Sequence, residues 1–183
     1  MLFATVVWAQ KELLSYNEQN KYTYFQVVSR PGVSADTLKD RALYFLRKNY
    51  SKSGSKITDT GAVSATGKFI VYAGISMTRH QAGEISYTIN IAYKDQKYKY
   101  WLSDFLFTPY KLDRYGSYEP EPGQEMPLEK GLARIEKRPF ESYLDQTGTF
   151  CKSVGETLKQ YMLNISSLPP KDPTKKVIST KDW

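Results

Sequence analysis

The sequence predicts an α+β domain: an antiparallel sheet of about five strands in β-α-β-β-β-β-α order, with both helices on one face. Three observations predict it. Residues 84–107 read EISYTINIAYKDQKYKYWLSDFLF, with Ile85, Tyr87, Ile89, Ile91 and Tyr93 on alternate positions. A side-chain period of two places them on one buried face of a strand. Lys94-Asp95-Gln96-Lys97 then turns the chain back into a second strand beginning at Tyr98. Finally, two segments carry apolar residues at helical spacing, and each such stripe must be buried. The sheet offers one apolar face, so both helices pack there and the opposite face stays open.

The elements follow in order. Residues 22–28, YTYFQVV, are a β-branched and aromatic run that reads as the first strand and ends at Pro31-Gly32. Ser34 is placed to cap a helix, with Asp36 in its first turn favoured by the helix dipole. Leu38, Ala42, Phe45 and Leu46 form its stripe up to about Asn49. A loop over 51–55 precedes a strand at Lys56-Ile57-Thr58. Another strand is expected over 68–78, where Phe69, Val71, Ala73, Ile75 and Met77 alternate. The hairpin at 84–107 comes next. Residues 109–131, with four prolines and Tyr110, Tyr115 and Tyr118, read as one long loop. Pro139 suits the first position of a last helix. Its stripe is Phe140, Leu144, Cys151, Val154, Leu158, Met162 and Ile165, weakened by Gly148 and Gly155. The expected core therefore includes Leu38, Phe45, Ile89, Ile91, Leu102, Leu144 and Leu158.

At 183 residues the chain suffices for one domain with a real core, assigned to 10–165, followed by a flexible tail over 166–183. Charged residues at 25% and hydrophobic ones at 40% are ordinary globular values. Tyrosine, at 15 residues, is high; its ring is apolar while its hydroxyl can stay wet, which suits half-buried sheet faces and contact surfaces. The net charge of +7 favours anionic partners. Residues 2–9, LFATVVWA, are apolar and uncharged, and Val7-x-Ala9 before Gln10 is compatible with a signal-peptidase site. Residues 1–9 are accordingly expected to be the remnant of a signal peptide on an exported periplasmic or extracellular protein; the alternative is an N-terminal strand. No stretch approaches a transmembrane helix in length. A single cysteine, Cys151, excludes an internal disulfide.

The phrase Tyr93-Lys94-Asp95-Gln96-Lys97-Tyr98-Lys99-Tyr100, followed by Leu102-Ser103-Asp104-Phe105, resembles the core of an uncharacterised bacterial family of exported domains. That family is described as a domain of unknown function with a TATA-binding-protein-like fold. It shares the helix soon after the first strand and a hairpin of this type, with Gln96 standing where the pattern often has glycine. The resemblance spans about 21–165 and implies the fold, not an activity.

Catalytic signals are weak. His80, the sole histidine, lies in an expected turn without an orienting acid, and Cys151 falls on an apolar helical stripe. Glu119, Glu121 and Glu125 lack the spacing of a cation loop and read as solvated acids. No cofactor or metal motif is present in the sequence, so none is expected, and the chain reads as a non-enzymatic module.

The hairpin register supplies the candidate site. With Asp95-Gln96 as a two-residue turn, Tyr93 faces Tyr98, Ile91 faces Tyr100, Ile89 faces Leu102 and Tyr87 faces Asp104 on the buried side. Asp104 there needs a donor, such as the Tyr87 hydroxyl; the alternative is an edge acid reaching water. The same register sends Lys97, Lys99, Trp101, Ser103 and Phe105 to the open face, opposite Lys94, Ala92, Asn90, Thr88 and Ser86. Lys94, Lys97, Lys99, Trp101 and Phe105 are therefore the candidate binding residues, joining cations to exposed rings. The competing reading is a solvated hairpin tip guarded by lysines. The function predicted is a binding module of the bacterial cell envelope, its partner an envelope protein, a peptide, or an anionic or carbohydrate ligand. The alternative is a nucleic-acid binder using the basic face.

Overall fold

The structure, a computed structural model, describes residues 13–50, 58–59 and 62–163. The expected signal remnant, the 51–55 loop, Ile57, Ile165 and the tail lie outside them. The strands are β1 (Ser15–Tyr16), β2 (Tyr22–Ser29), β3 (Thr58–Asp59), β4 (Val63–Ala73), β5 (His80–Lys94), β6 (Lys97–Leu112), β7 (Tyr118–Pro120) and β8 (Met126–Pro127); the helices are α1 (Ala35–Tyr50) and α2 (Lys137–Leu163). All strands pair antiparallel in the order β1-β2-β6-β5-β4-β3, with β7 and β8 also on β6. The five strands expected from the sequence correspond to β2 through β6. Both helices lie against the face that carries Ile85, Ile89, Ile91 and Leu102, all buried.

The β5–β6 turn also starts α1. Lys94 pairs with Lys97 across Asp95-Gln96, and Gln96 takes a left-handed φ of 62° where glycine would be at ease. The Asp95 carboxylate accepts the Ala35 amide at 2.8 Å, adding a second cap to the Ser34 hydroxyl, which accepts the Thr37 amide. The Gln96 amide donates to the Val33 carbonyl, and its own carbonyl accepts the Arg30 amide. One turn thus fixes the hairpin register and the entry of the helix.

Helix α2 packs over a row of core-side tyrosines, Tyr24, Tyr98 and Tyr100. Gln26 links two of them, donating to the Tyr24 hydroxyl and accepting from Tyr100, both at 2.8 Å. Gly155 permits this approach, because a Cβ there would sit 2.2 Å from the Tyr100 Oη. The glycine that weakens the helix in isolation is the point at which it meets the sheet. The buried stripe runs Phe140, Tyr143, Thr147, Cys151, Leu158 and Met162. Leu144 flanks this stripe and is half-buried, unlike the other expected core residues. Pro139 lies within the first turn, after a start at Lys137.

Three expectations are corrected. The strand expected over 68–78 ends at Ala73; Gly74, at φ 78°, turns the chain so tightly that a Cβ would meet the Thr78 carbonyl at 2.3 Å. Ile75 and Met77 therefore stand in solvent, and His80 begins β5 instead of lying in the turn. The segment 109–131 is not one loop. It extends β6 and supplies β7 and β8; Pro120 and Pro127 sit on these short edge strands, where a missing N–H is tolerated, while Pro109 lies within β6 and Pro122 in the turn after β7. Met126 and Leu128 are buried, and Glu129 accepts the Tyr22 amide at 2.7 Å, so the segment closes a sheet edge.

The third correction concerns register. The pairs Tyr93–Tyr98, Ile91–Tyr100 and Ile89–Leu102 hold, as does Thr88–Ser103. Ser86 then pairs with Leu106, leaving Asp104 and Phe105 together opposite Tyr87. This is a β-bulge, with Asp104 in the left-handed region at φ 57°. One extra residue inverts the phase of everything after it. Asp104 points to solvent and pairs with Lys21, as the edge-acid alternative requires, while the Tyr87 hydroxyl finds Tyr50 at 3.1 Å. Phe105 turns into the core, 1% exposed, so it is no part of the open face.

Candidate ligand platform on the open sheet face

The face opposite the helices is built by simple alternation. Phe25 and Val27 of β2 project there because Tyr24 and Gln26 occupy the core side. Phe25 pairs with Trp101 and Val27 with Lys99; Asn90 and Ala92 of β5 flank the same two residues on the other side. Phe25 is 55% and Val27 59% exposed, while Trp101 is half-buried between its neighbours. The Lys99 ammonium stands 5.5 Å from the centre of the Trp101 ring. The result is an aromatic and aliphatic strip with a cation on its edge.

Lys94 and Lys97 face each other across the turn and are exposed, so three lysines cluster at this end of the face. Among the described residues none of the three has a carboxylate partner. The neighbouring Asp95 carboxylate is turned to the α1 amide. At the other end the charge is compensated: Glu84 pairs with Lys68 at 2.9 Å and accepts the Tyr110 hydroxyl at 3.0 Å. The face is thus cationic toward the β5–β6 turn and neutral toward the opposite end.

Of the residues expected at the site, Lys94, Lys97, Lys99 and Trp101 come together and Phe105 does not. Phe25 and Val27 were missed. The alternation of β2 carries their signal, yet only its pairing with β6 places them beside Trp101, and that pairing joins residues far apart in sequence.

The two residues with nucleophilic or acid–base potential lie elsewhere. His80 is exposed, with Nδ1 2.9 Å from the Thr78 carbonyl and its ring stacked on Tyr118. Cys151 is fully buried, and burial pushes its thiol well above the ordinary range. A concavity of about 530 Å³ opens between the two helices and β4 and is lined by Phe45, Tyr50, Tyr87 and Phe150 with Asn49 and Thr157 on its polar side. Burial raises the Tyr50 phenol to about 12 and moves Tyr87 in the same direction.

An antiparallel sheet with two helices on one face and, among the described residues, no helix on the other defines the class: an α+β domain with a TBP-like fold. Comparison with known proteins gives the same answer. The family model described as "Domain of unknown function (DUF4468) with TBP-like fold" matches residues 24–108. A TBP-like protein from Parabacteroides distasonis ATCC 8503 superposes with a TM-score of 0.62 at 17% identity, over 79% of this chain and 94% of that one. A DUF4468 family protein from Bacteroides ovatus ATCC 8483 gives 0.62 at 12% identity, over 86% and 95%. No curated protein matches the chain. The resemblance carried by the β5–β6 hairpin is therefore shown, and at these identities the solved structures speak to fold alone.

Proposed function

We propose that this protein is a non-enzymatic binding module of the bacterial cell envelope whose open sheet face holds an acidic carbohydrate. The observation that supports the reading best is the strip Phe25–Trp101 bordered by Lys94, Lys97 and Lys99, three cations without acid partners among the described residues. Flat rings offer a stacking surface for sugar faces, and unpaired lysines attract carboxylate or sulfate substituents. The envelope assignment rests on the apolar stretch 2–9 and its Val7-x-Ala9 pattern.

The same chemistry suits stacked nucleobases on a phosphate backbone, so single-stranded nucleic acid is the competing ligand. Titration calorimetry with an acidic polysaccharide, its neutral counterpart and a single-stranded oligonucleotide separates the two. The expected result is salt-sensitive binding to the acidic glycan, lost in the double variant Lys99→Glu, Trp101→Ala with the melting temperature nearly unchanged. Unaltered binding by that variant would remove the face as the site, and preference for the oligonucleotide would favour the alternative.

A further inference from the structure

The two long edges of the sheet are finished differently. Along β4, β3 pairs with Val63 and Ser64, and Lys68 stands within the strand. Further on, the Gln146 side chain of α2 accepts the Tyr72 amide and donates to the Tyr72 carbonyl, both at 2.9 Å, as a neighbouring strand would. Short strands, charges and covering groups are the usual guards of a sheet edge. On β2 they stop after its first two residues. β1 pairs only with Tyr22 and Thr23, and β2 carries no charged side chain along its 8 residues.

Two amide bonds set the direction of the β2 backbone. The Tyr22 amide goes to the Glu129 carboxylate and the Arg30 amide to the Gln96 carbonyl, both on the β6 side. Alternate residues point opposite ways, so Tyr24, Gln26 and Val28 bond toward Leu102, Tyr100 and Tyr98. Phe25, Val27 and Ser29 then turn their N–H and C=O groups outward, as Thr23 does to meet β1. Among the described residues no strand pairs with them on that side. The open window has fixed ends. Ser15 of β1 closes it at Thr23, and Leu13 already lies against α2, where a Cβ on Gly148 would sit 2.9 Å from its own Cβ. At the other end Pro31 and Gly32, the latter at φ 77°, turn the chain away after Arg30. Val27 is the midpoint of the window.

We propose that β2 pairs antiparallel with β2 of a second copy of this chain, across a two-fold axis at Val27, joining two sheets into one. In that register Phe25 lies opposite Ser29 of the second copy, Gln26 opposite its Val28, and Val27 opposite its Val27, so every outward N–H meets a C=O. A two-fold contact needs a patch that complements itself, and an uncharged window centred on one residue is such a patch. The ends also fit. The residue brought opposite Thr23 would be Pro31 of the second copy, where β2 stops and β1 takes its place. Phe25 and Val27 keep their side chains on the open face, so the strips of the two copies run together. The two Lys99 rows would stand about 14 Å apart, three strand spacings, beyond the Debye length of about 8 Å at physiological salt. The pairing uses backbone groups and holds whatever ligand the face takes.

Sedimentation equilibrium of the full chain from about 1 μM to 1 mM tests the proposal, since a strand pair of this length is small beside a standard interface of about 1,600 Å² and associates weakly. The wild type should pass from monomer to dimer across that range. Val27→Lys, which sets like charges opposite each other at the axis, should weaken association at least about tenfold. Its melting temperature at low concentration should stay near wild type, because Val27 is 59% exposed. Val27→Cys should yield a disulfide-linked dimer on mild oxidation, as paired Cα atoms in such a ladder lie about 5.5 Å apart. Ser29→Cys should not, because its two copies would lie about 13 Å apart along the strands. Cys151, fully buried, adds no cross-link of its own. A wild type that stays monomeric throughout, as it would if its own chain or a foreign peptide covered the edge, would overturn the proposal. So would association unaltered by Val27→Lys, or equal cross-linking through Ser29→Cys.

Discussion

Replacing Phe105 by alanine tests the bulge, and with it the assignment of both sheet faces. In the regular register expected from the sequence, Phe105 lies on the open face and its truncation costs little. In the structure the extra residue at Asp104 turns the ring inward, 1% exposed, with its centre 6.4 Å from the Tyr87 ring. That ring in turn meets Tyr50, Phe69 and Phe150, so the vacated space would be walled by aromatic side chains that cannot all collapse into it. Truncating a buried phenylalanine costs about 3–5 kcal/mol. In a domain of this size each kcal/mol lowers the melting temperature by about 2–4 °C, which gives a loss of roughly 6–20 °C. Leu106, 39% exposed on the other face, is the control, and its alanine variant should lose less than about 1 kcal/mol. Urea titrations with an unchanged slope would confirm that the effect is on stability. If Phe105→Ala melts with the wild type while Leu106→Ala falls sharply, the bulge is misplaced and the reasoning fails.

Further outcomes follow from the same packing. Gly155→Ala should cost about 1–3 kcal/mol, measured by chemical denaturation, because its methyl would overlap the Tyr100 hydroxyl. Leu128→Ala should cost about 2–5 kcal/mol although it lies in a proline-rich segment, since the side chain is fully buried. Burial raises the Tyr50 phenol from 10.0 to about 12, so the unfolded chain loses this proton first as pH rises. Its contribution is complete below pH 10 and fades between 10 and about 12, at about 1.4 kcal/mol per pH unit within that window, as melts in alkaline buffers would show. The Cys151 thiol, buried and shifted upward, should be alkylated only at the rate of unfolding.

Much of this architecture was legible because it rests on local periodicity. The alternation at 85–93 and the helical stripe of Leu38, Ala42, Phe45 and Leu46 give strand and helix directly. What escaped depends on single backbone states or distant pairings. Asp104 in a left-handed conformation shifts the phase by one residue, and nothing in Ser103-Asp104-Phe105 announces it. Pro109, Pro120 and Pro127 argue for loop, yet each is tolerated where a strand lies at an edge or end. The candidate site was legible in Lys94, Lys97, Lys99 and Trp101, which share one hairpin. Phe25 and Val27 complete it only through the β2–β6 pairing, which no local pattern encodes.

The central claim is that the open sheet face is the ligand platform. Amide and indole chemical-shift mapping of the labelled protein, titrated with an acidic polysaccharide, tests it most directly. The account predicts perturbations centred on Phe25, Val27, Lys99 and the Trp101 indole, fading toward Glu84, with the α2 amides unmoved. Perturbations confined to Tyr50, Tyr87 and Phe150, in the concavity beneath the helices, would contradict it.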